Sequence, residues 1–474
     1  MTQPTDKSLR VLINAEQIGV LEQGPHGQLS FRYEESWRER RDATPLSLSI
    51  PISGREHPNA VVEPFLRGLL PDNENVLRRW GRRFGVPWNS PFAHLRNVGE
   101  DVAGAAQFVR ESRLEEATKP GRIEAIDEDY IEHRLRVLRG DRAAWDDIDS
   151  PGQFSLAGAQ AKFALHRSLD GQWGLPSGRS ATTHILKPPL EYLAHQEVNE
   201  HLCLRAAGRL GMRAANSEVM TFGEERAIVL ERYDRLRQPD GTVLRVHQED
   251  MCQALSVYPD RKYEREDGGP GAADIVALLR DHIPPSQAVE AIEMFCRALA
   301  FNWVIFGPDA HAKNYSLLLS GPNVRLAPLY DISSVAPYPD RYDLRHMAMA
   351  MSINKKYENN LITGEDWRQL ARALAIDPDH MTTWVHDVVS RAPGALADAV
   401  RAEDKWITNL GMVRQLVDGV ASHAKALLRW IELPVESPRP SMRGSQKPTE
   451  PTVAAYRKAD GTYVKEYPNP RHRA

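Results

Sequence analysis

The feature that most constrains this chain is Pro308-Asp309-Ala310-His311-Ala312-Lys313-Asn314, a short, mostly polar loop set directly after the long apolar run Ala288 to Phe306. A second apolar run, Val324 to Tyr330, follows and ends at Asp331. A long buried helix, a polar loop and a strand closed by an acid form a rarer arrangement than any single turn. Phosphoryl transfer to a hydroxyl needs a carboxylate to orient the nucleophile and oxygen ligands for magnesium, and an Asp and an Asn five positions apart can supply them. Asp309 then reads as the carboxylate that orients the nucleophile, Asn314 and Asp331 as metal ligands, and Lys313 as a cation that could neutralise charge on the transferred group. The plainer alternative makes Asp309 and Asn314 turn formers, Asp331 a helix cap and Lys313 a solvated lysine. The order of elements favours the first reading for Asp309, Asn314 and Asp331, and leaves both readings of Lys313 open.

Upstream segments supply what such a loop would need. Thr182-Thr183-His184-Ile185-Leu186-Lys187-Pro188 puts Lys187 after a short apolar strand, where an ammonium could hold nucleotide phosphates. Glu200 lies on a helix expected from about Tyr192 to Leu210 and ended by Gly211, placed to form an ion pair with Lys187. Taken singly, either could be a surface residue. The loop Ser155 to Lys162 is rich in small residues, so its backbone could approach phosphates closely; Ser155, Ala157, Gly158, Ala159, Gln160 and Lys162 are its candidate ATP contacts. It is not a Walker A sequence, and a tight turn is the simpler account. Glu231-Arg232-Tyr233-Asp234 follows the apolar strand Ala227 to Leu230, where Glu231 and Tyr233 could form an adenine-binding hinge or an exposed strand end. His311 is counted with the ATP contacts; a role as metal ligand or general base is disfavoured because no second histidine stands at metal-ligand spacing. Asp267 to Gly271 is a glycine-rich loop with no role readable from composition.

These segments predict an α+β fold of the bilobal protein-kinase-like kind, with a mixed N-lobe carrying a β-sheet, a mainly helical C-lobe and a small α/β subdomain in front. The expected divisions are residues 1–110 for that subdomain and 111–150 for a charged helical connector. The N-lobe with its nucleotide loop follows at 151–255, the C-lobe with its catalytic loop at 256–432, and a Pro/Ser-rich linker and tail at 433–474. Within the subdomain, apolar runs separated by Gly19, Gly24 and Gly27 suggest an antiparallel sheet, followed by a helical stretch from about Val62 to Arg83. A hairpin around Asp460-Gly461 is expected in the tail.

Composition narrows the function classes. With 474 residues, 42% apolar and 26% charged, the chain can bury two or three cores. A formal charge of -4 argues against nucleic-acid binding by an overall positive field. Cys203, Cys252 and Cys296 lie too far apart for a zinc cluster or a disulfide framework and read as reduced thiols of a cytoplasmic protein. No signal-peptide pattern or membrane-length apolar run is present.

Taken together, the motifs resemble those of the HipA family, the kinase component of bacterial type II toxin-antitoxin modules. The likeness runs through Ser155 to Lys162, Thr182 to Lys187, Glu231 to Arg235, Gln248 to Gln253, Asp267 to Gly271, Asp309 to Asn314 and Tyr330-Asp331-Ile332. In the leading domain it includes Pro45 to Pro51, Gly68-Leu69-Leu70-Pro71 and Gly99 to Ala105. The resemblance implies a serine/threonine protein kinase using ATP and Mg2+, with Ser155 as an autophosphorylation site whose modification ejects its loop. It also implies an aminoacyl-tRNA synthetase as substrate and a HipB-like helix-turn-helix antitoxin as partner, through which operator DNA is mainly contacted. Ala310 and Ala161 depart from the glycine and glutamate common in the family, and Ala161 bears on how the nucleotide loop is anchored. A small-molecule kinase and a non-catalytic co-repressor are the competing functions. A dead kinase need not keep Asp309, Asn314, Asp331 and Lys187 together.

Overall fold

The computed structural model describes residues 7–145 and 155–431. The leading sheet is antiparallel, as the alternating apolar runs require, with β1 (Ser8–Ile13), β2 (Glu16–Gln23), β3 (Leu29–Tyr33), β4 (Glu56–His57) and β5 (Ala106–Val109) in the order β4-β3-β2-β1-β5. The β1–β2 turn is made by Asn14 and Ala15 at φ 48° and 70°, the paired left-handed conformation that matches the twist of a two-residue hairpin. The expected single helical stretch is two helices, Asn59–Gly68 and Glu74–Phe84. Pro71 lies between them, and the Asn73 side chain accepts from Asn75 N to start the second. That break carries Asp72.

The kinase N-lobe is a six-stranded sheet ordered β10-β11-β9-β7-β8-β6. Its strands are β6 (Arg122–Ile126), β7 (Phe163–Arg167), β8 (Trp173–Ser177), β9 (His184–Lys187), β10 (Ser217–Phe222) and β11 (Glu225–Glu231). The segment read as a charged helical connector therefore contributes an edge strand as well as the helix Glu128–Gly140. Ile131, Leu135 and Leu138 of that helix are fully buried, as their spacing predicts. Strand β6 gave no signal because its first four residues are exposed and it joins β8 through backbone pairing.

The C-lobe is built on the helices Ala272–His282, Pro285–Val304, Gly364–Ala373, Pro378–Arg401 and Gly411–Ile431. The chain also forms the hairpin β12 (Arg235–Arg237) and β13 (Val243–Arg245), tied to the leading domain where Asn14 bonds the Arg245 backbone, and the three-stranded sheet β14 (His247–Asp250), β15 (Ser316–Ser320) and β16 (Asn323–Leu326), packed into the C-lobe core through Leu317, Leu319, Val324 and Leu326. Two large apolar cores result, and neither follows the boundaries read from sequence. One joins the leading domain to β7, β9 and β11; the other joins the helix Gln196–Arg209 to the C-lobe around the fully buried Trp303 and Trp367. Sharing a core with the N-lobe fixes the leading domain against the cleft, which is why it can place side chains there. The tail and its expected hairpin lie outside the described residues.

Candidate active site

Lys187 ends β9, paired in register with Ile228 of β11, and its side chain is buried. Its Nζ lies 2.8 Å from Glu200 Oε1 and 2.6 Å from Asp331 Oδ1. Glu200 sits near the start of the helix Gln196–Arg209, a little later than the expected start at Tyr192. Burial disfavours charge on all three groups, but the two carboxylates hold the Lys187 ammonium well above its ordinary range. Against the same burial, Lys187 and then Lys162 hold Asp331 well below the usual carboxylate range, while burial leaves Glu200 raised.

Asp331 does not close a strand. The strand β16 stops at Leu326, and Asp331 sits five residues beyond it at φ 57°. Leu329 pins the intervening turn, its N donating to Arg213 O and its O accepting from Ala215 N, both at 2.8 Å. An aspartate tolerates the left-handed conformation better than most residues. The turn aims its carboxylate at Lys187.

The nucleotide loop is held from the leading domain. Ser155 is fully buried; its N donates to Asp101 O at 3.0 Å and its Oγ to Leu69 O at 2.9 Å. Asp72 N donates to Gly158 O at 3.0 Å. Gly158 has φ 105°, which only glycine adopts readily, and a Cβ there would come within 2.6 Å of Lys162 Nζ. Lys162 folds back to donate to Ala157 O at 2.8 Å, and burial followed by the charge of Lys187 lowers its pKa to about 8. Gln160 donates to Pro188 O at 3.2 Å, tying the loop to the residue after Lys187, and Ala157 and Ala159 are half-buried.

In the catalytic loop the Asn314 side chain donates to Asp309 O at 2.5 Å, so the two residues five apart are fastened together. Asp309 keeps 36% of its side-chain surface open, yet the surrounding protein raises its pKa to about 6 by burial. The Tyr263 hydroxyl donates to Asp309 Oδ1 at 2.5 Å. His311 is buried with Nε2 3.8 Å from Asp309 Oδ1, and burial holds its ring neutral. Lys313 corrects the reading from sequence. Its Nζ lies 3.0 Å from Asp72 and 3.7 Å from Asp250, so its charge is paired within the protein rather than presented to a phosphoryl group.

Where the sequence suggests a hinge, Glu231 is exposed, accepting from Asn216 at 3.0 Å, while Tyr233 packs 5.7 Å from the Tyr330 ring and donates to Gln248 at 2.5 Å. Of the two, only Glu231 lies at an exposed strand end. Arg232 and Arg235 are buried in a network in which Arg232 grips Asp234 at 2.8 Å and Arg235 grips Asp101 at 2.6 Å. Asp72, Asp101, Asp250 and Tyr263 had no role assigned from sequence. Asp72 directly follows the quoted Gly68 to Pro71, and Asp101 and Asp250 lie inside quoted stretches, so the likeness marked their neighbourhoods without giving their function. Nothing in the sequence marked Tyr263.

The cleft thus gathers a lysine–carboxylate pair, a small-residue loop and a carboxylate–amide loop from distant parts of the chain, an arrangement suited to holding a triphosphate against an acceptor hydroxyl. Residues 154–396 match the family described as HipA-like C-terminal domain, and residues 9–109 match the HipA N-terminal domain. The chain belongs to the HipA family. A HipA-family kinase, it is 30% identical over 397 residues to the serine/threonine-protein kinase toxin HipA of Shewanella oneidensis, covering 79% of this chain and 87% of that one. It is 33% identical to the Sinorhizobium fredii protein Y4mE, named as an inferred kinase, over 89% of this chain and 98% of that protein. A solved complex of Shewanella oneidensis HipA and HipB with operator DNA matches the fold at a TM-score of 0.76 and 25% identity, covering 89% of this chain and 98% of that chain. As a kinase of this family the chain uses ATP. Among the described residues, no helix is long and apolar enough to cross a membrane.

Proposed function

We propose that this chain is an ATP- and Mg2+-dependent serine/threonine protein kinase that acts as the toxin of a toxin-antitoxin module. The observation that carries the reading is the meeting of Lys187, Glu200 and Asp331 beside the Asp309–Asn314 loop. Asp309 orients the acceptor hydroxyl and receives its proton, and Lys187 and Lys162 balance phosphate charge. The donor set fits magnesium. Among the described residues no three His, Cys, Asp or Glu side chains form a metal cluster, but magnesium takes one or two protein carboxylates plus phosphate oxygens. Asn314 and Asp331 would hold the ion, which neutralises charge on the phosphates when bound.

The finer reading makes an aminoacyl-tRNA synthetase the protein substrate, modified in the cytoplasm so that translation and growth stop. Ser155 is the autophosphorylation site. A helix-turn-helix antitoxin is the partner, and operator DNA is contacted mainly through it. The family membership and the likeness to the HipA–HipB–DNA complex support these assignments.

The test is label transfer from ATP to lysate proteins, with growth followed on expression. Asp309→Ala and Asp331→Ala should each abolish transfer and relieve growth arrest. Label found only in a metabolite would make the chain a small-molecule kinase, and undiminished arrest in both variants would favour the non-catalytic co-repressor.

A further inference from the structure

We propose that Tyr263 is a positioning residue for the base Asp309, and that the N-terminal domain holds it in place through Asp72. The inference rests on Asp309 being the base. Three consecutive side chains tie one segment to three parts of the protein. Lys262 Nζ lies 2.7 Å from Asp72 Oδ2, Tyr263 donates to Asp309 Oδ1 at 2.5 Å, and Glu264 accepts from Ser352 N and Oγ at 2.6 and 2.8 Å. The backbone adds a fourth tie, with Ala312 N donating to Lys262 O at 3.3 Å. The Tyr263 ring stands edge-on to His311 at 4.8 Å between centroids.

A carboxylate on the open side of a cleft can rotate, and a rotated carboxylate presents neither oxygen correctly to an acceptor. By engaging Oδ1, the Tyr263 hydroxyl leaves Oδ2 for the acceptor and fixes the plane of the group. Asp72 acts at one remove. One of its oxygens holds Lys262 at 2.7 Å, and the other lies 3.0 Å from Lys313 inside the catalytic loop. One residue in the break between two N-terminal helices therefore sets both the segment that carries Tyr263 and the loop that carries Asp309. The N-terminal domain becomes part of the catalytic machinery, and the orientation of the base depends on how that domain is seated.

The test compares Tyr263→Phe, Asp72→Asn and the double variant in the full chain, with steady-state phosphotransfer and equilibrium nucleotide binding. Tyr263→Phe removes one oxygen and keeps the ring. It should lower kcat about ten-fold or more while KM for ATP and nucleotide affinity stay within about two-fold. The double variant should be no slower than the slower single variant by more than about two-fold, because both changes act on one group. If Asp72→Asn does not fold, Lys262→Gln takes its place. An unchanged or raised kcat in Tyr263→Phe or in Asp72→Asn overturns the proposal, as do losses that multiply in the double variant. Asp309→Ala runs alongside: activity surviving there defeats the assignment of the base itself, a failure distinct from these.

Discussion

Replacing Lys187 by methionine tests the electrostatic centre of the cleft. The Lys187 and Glu200 side chains are 6% and 2% exposed, so removing the ammonium strands a buried carboxylate opposite Asp331. Breaking a buried ion pair by deleting one partner costs about 3–5 kcal/mol, mostly the penalty of the charge left behind. Asp331 is 35% exposed and also feels Lys162, so solvent and that second cation relieve part of the repulsion, which places the cost near the lower end, about 3 kcal/mol. For a cooperative unit of about 150–250 residues that is a fall in melting temperature of roughly 6–12 °C. The assay is thermal denaturation at pH 7.5 without nucleotide. Adding Glu200→Gln to Lys187→Met should recover at least half of the loss, since the stranded charge is then gone. Lowering the pH should shrink the single variant's deficit. Burial already raises the Glu200 carboxyl, and without Lys187 it rises further, so stability is present below the ordinary carboxylate value and is lost as the pH climbs through the raised one. A single variant as stable as the parent, or a double variant as unstable as the single, would refute the reasoning.

Other positions give separate tests. Ser155→Ala should abolish self-phosphorylation, read by phosphopeptide mass spectrometry, and a phosphate found solely elsewhere would reject the site. Gly158→Ala imposes a side chain at φ 105° and 2.6 Å from Lys162 Nζ, so KM for ATP should rise about ten-fold in steady-state assays; an unchanged KM would show that this turn does not shape the nucleotide loop. Glu249 is buried where the Ser47 hydroxyl donates to it at 2.5 Å and Leu48 N at 2.8 Å, and burial raises its pKa from 4.5 to about 8. Its neutral form therefore contributes stability that is complete below the ordinary value and lost as the pH rises through about 8, by at most about 5 kcal/mol. Glu249→Gln should flatten that decline in denaturation measured from pH 5 to 8.5, and parallel curves would discard it.

What was legible in the sequence was local. Asp309 and Asn314 are five positions apart, and Lys187 and Glu200 are thirteen apart across one strand–helix step, so their proximity shows as spacing. Asp331 was legible as a residue but not as a conformation, because its aim depends on a left-handed turn fixed by pairing with Arg213 and Ala215. Asp72 was invisible as a site residue. It acts across 190 positions on Lys262, and an ion pair between domains leaves no periodicity to read. The same distance explains Lys313, whose obvious charge suggested a phosphate contact while its partner, Asp72, lay in another domain. Strand β6 failed for a different reason, since an exposed edge strand needs only backbone pairing.

The buried position of Ser155 bears on how the proposed self-modification would act. Its Oγ donates to Leu69 O at 2.9 Å, and its N–H donates to Asp101 O at 3.0 Å. A phosphate on that oxygen removes the donor and sets a dianion against a carbonyl, in a place already closed on all sides. The modified loop cannot keep this position. Because Gly158 O is held by Asp72 N at 3.0 Å in the same strip of the N-terminal domain, displacement at Ser155 strains the other end of the loop as well. Asp72 also faces Lys262 and Lys313, so the strain reaches the elements that seat Asp309. On this geometry, phosphorylation of Ser155 would disturb both the loop that carries it and the elements that seat Asp309, through one short segment of the N-terminal domain.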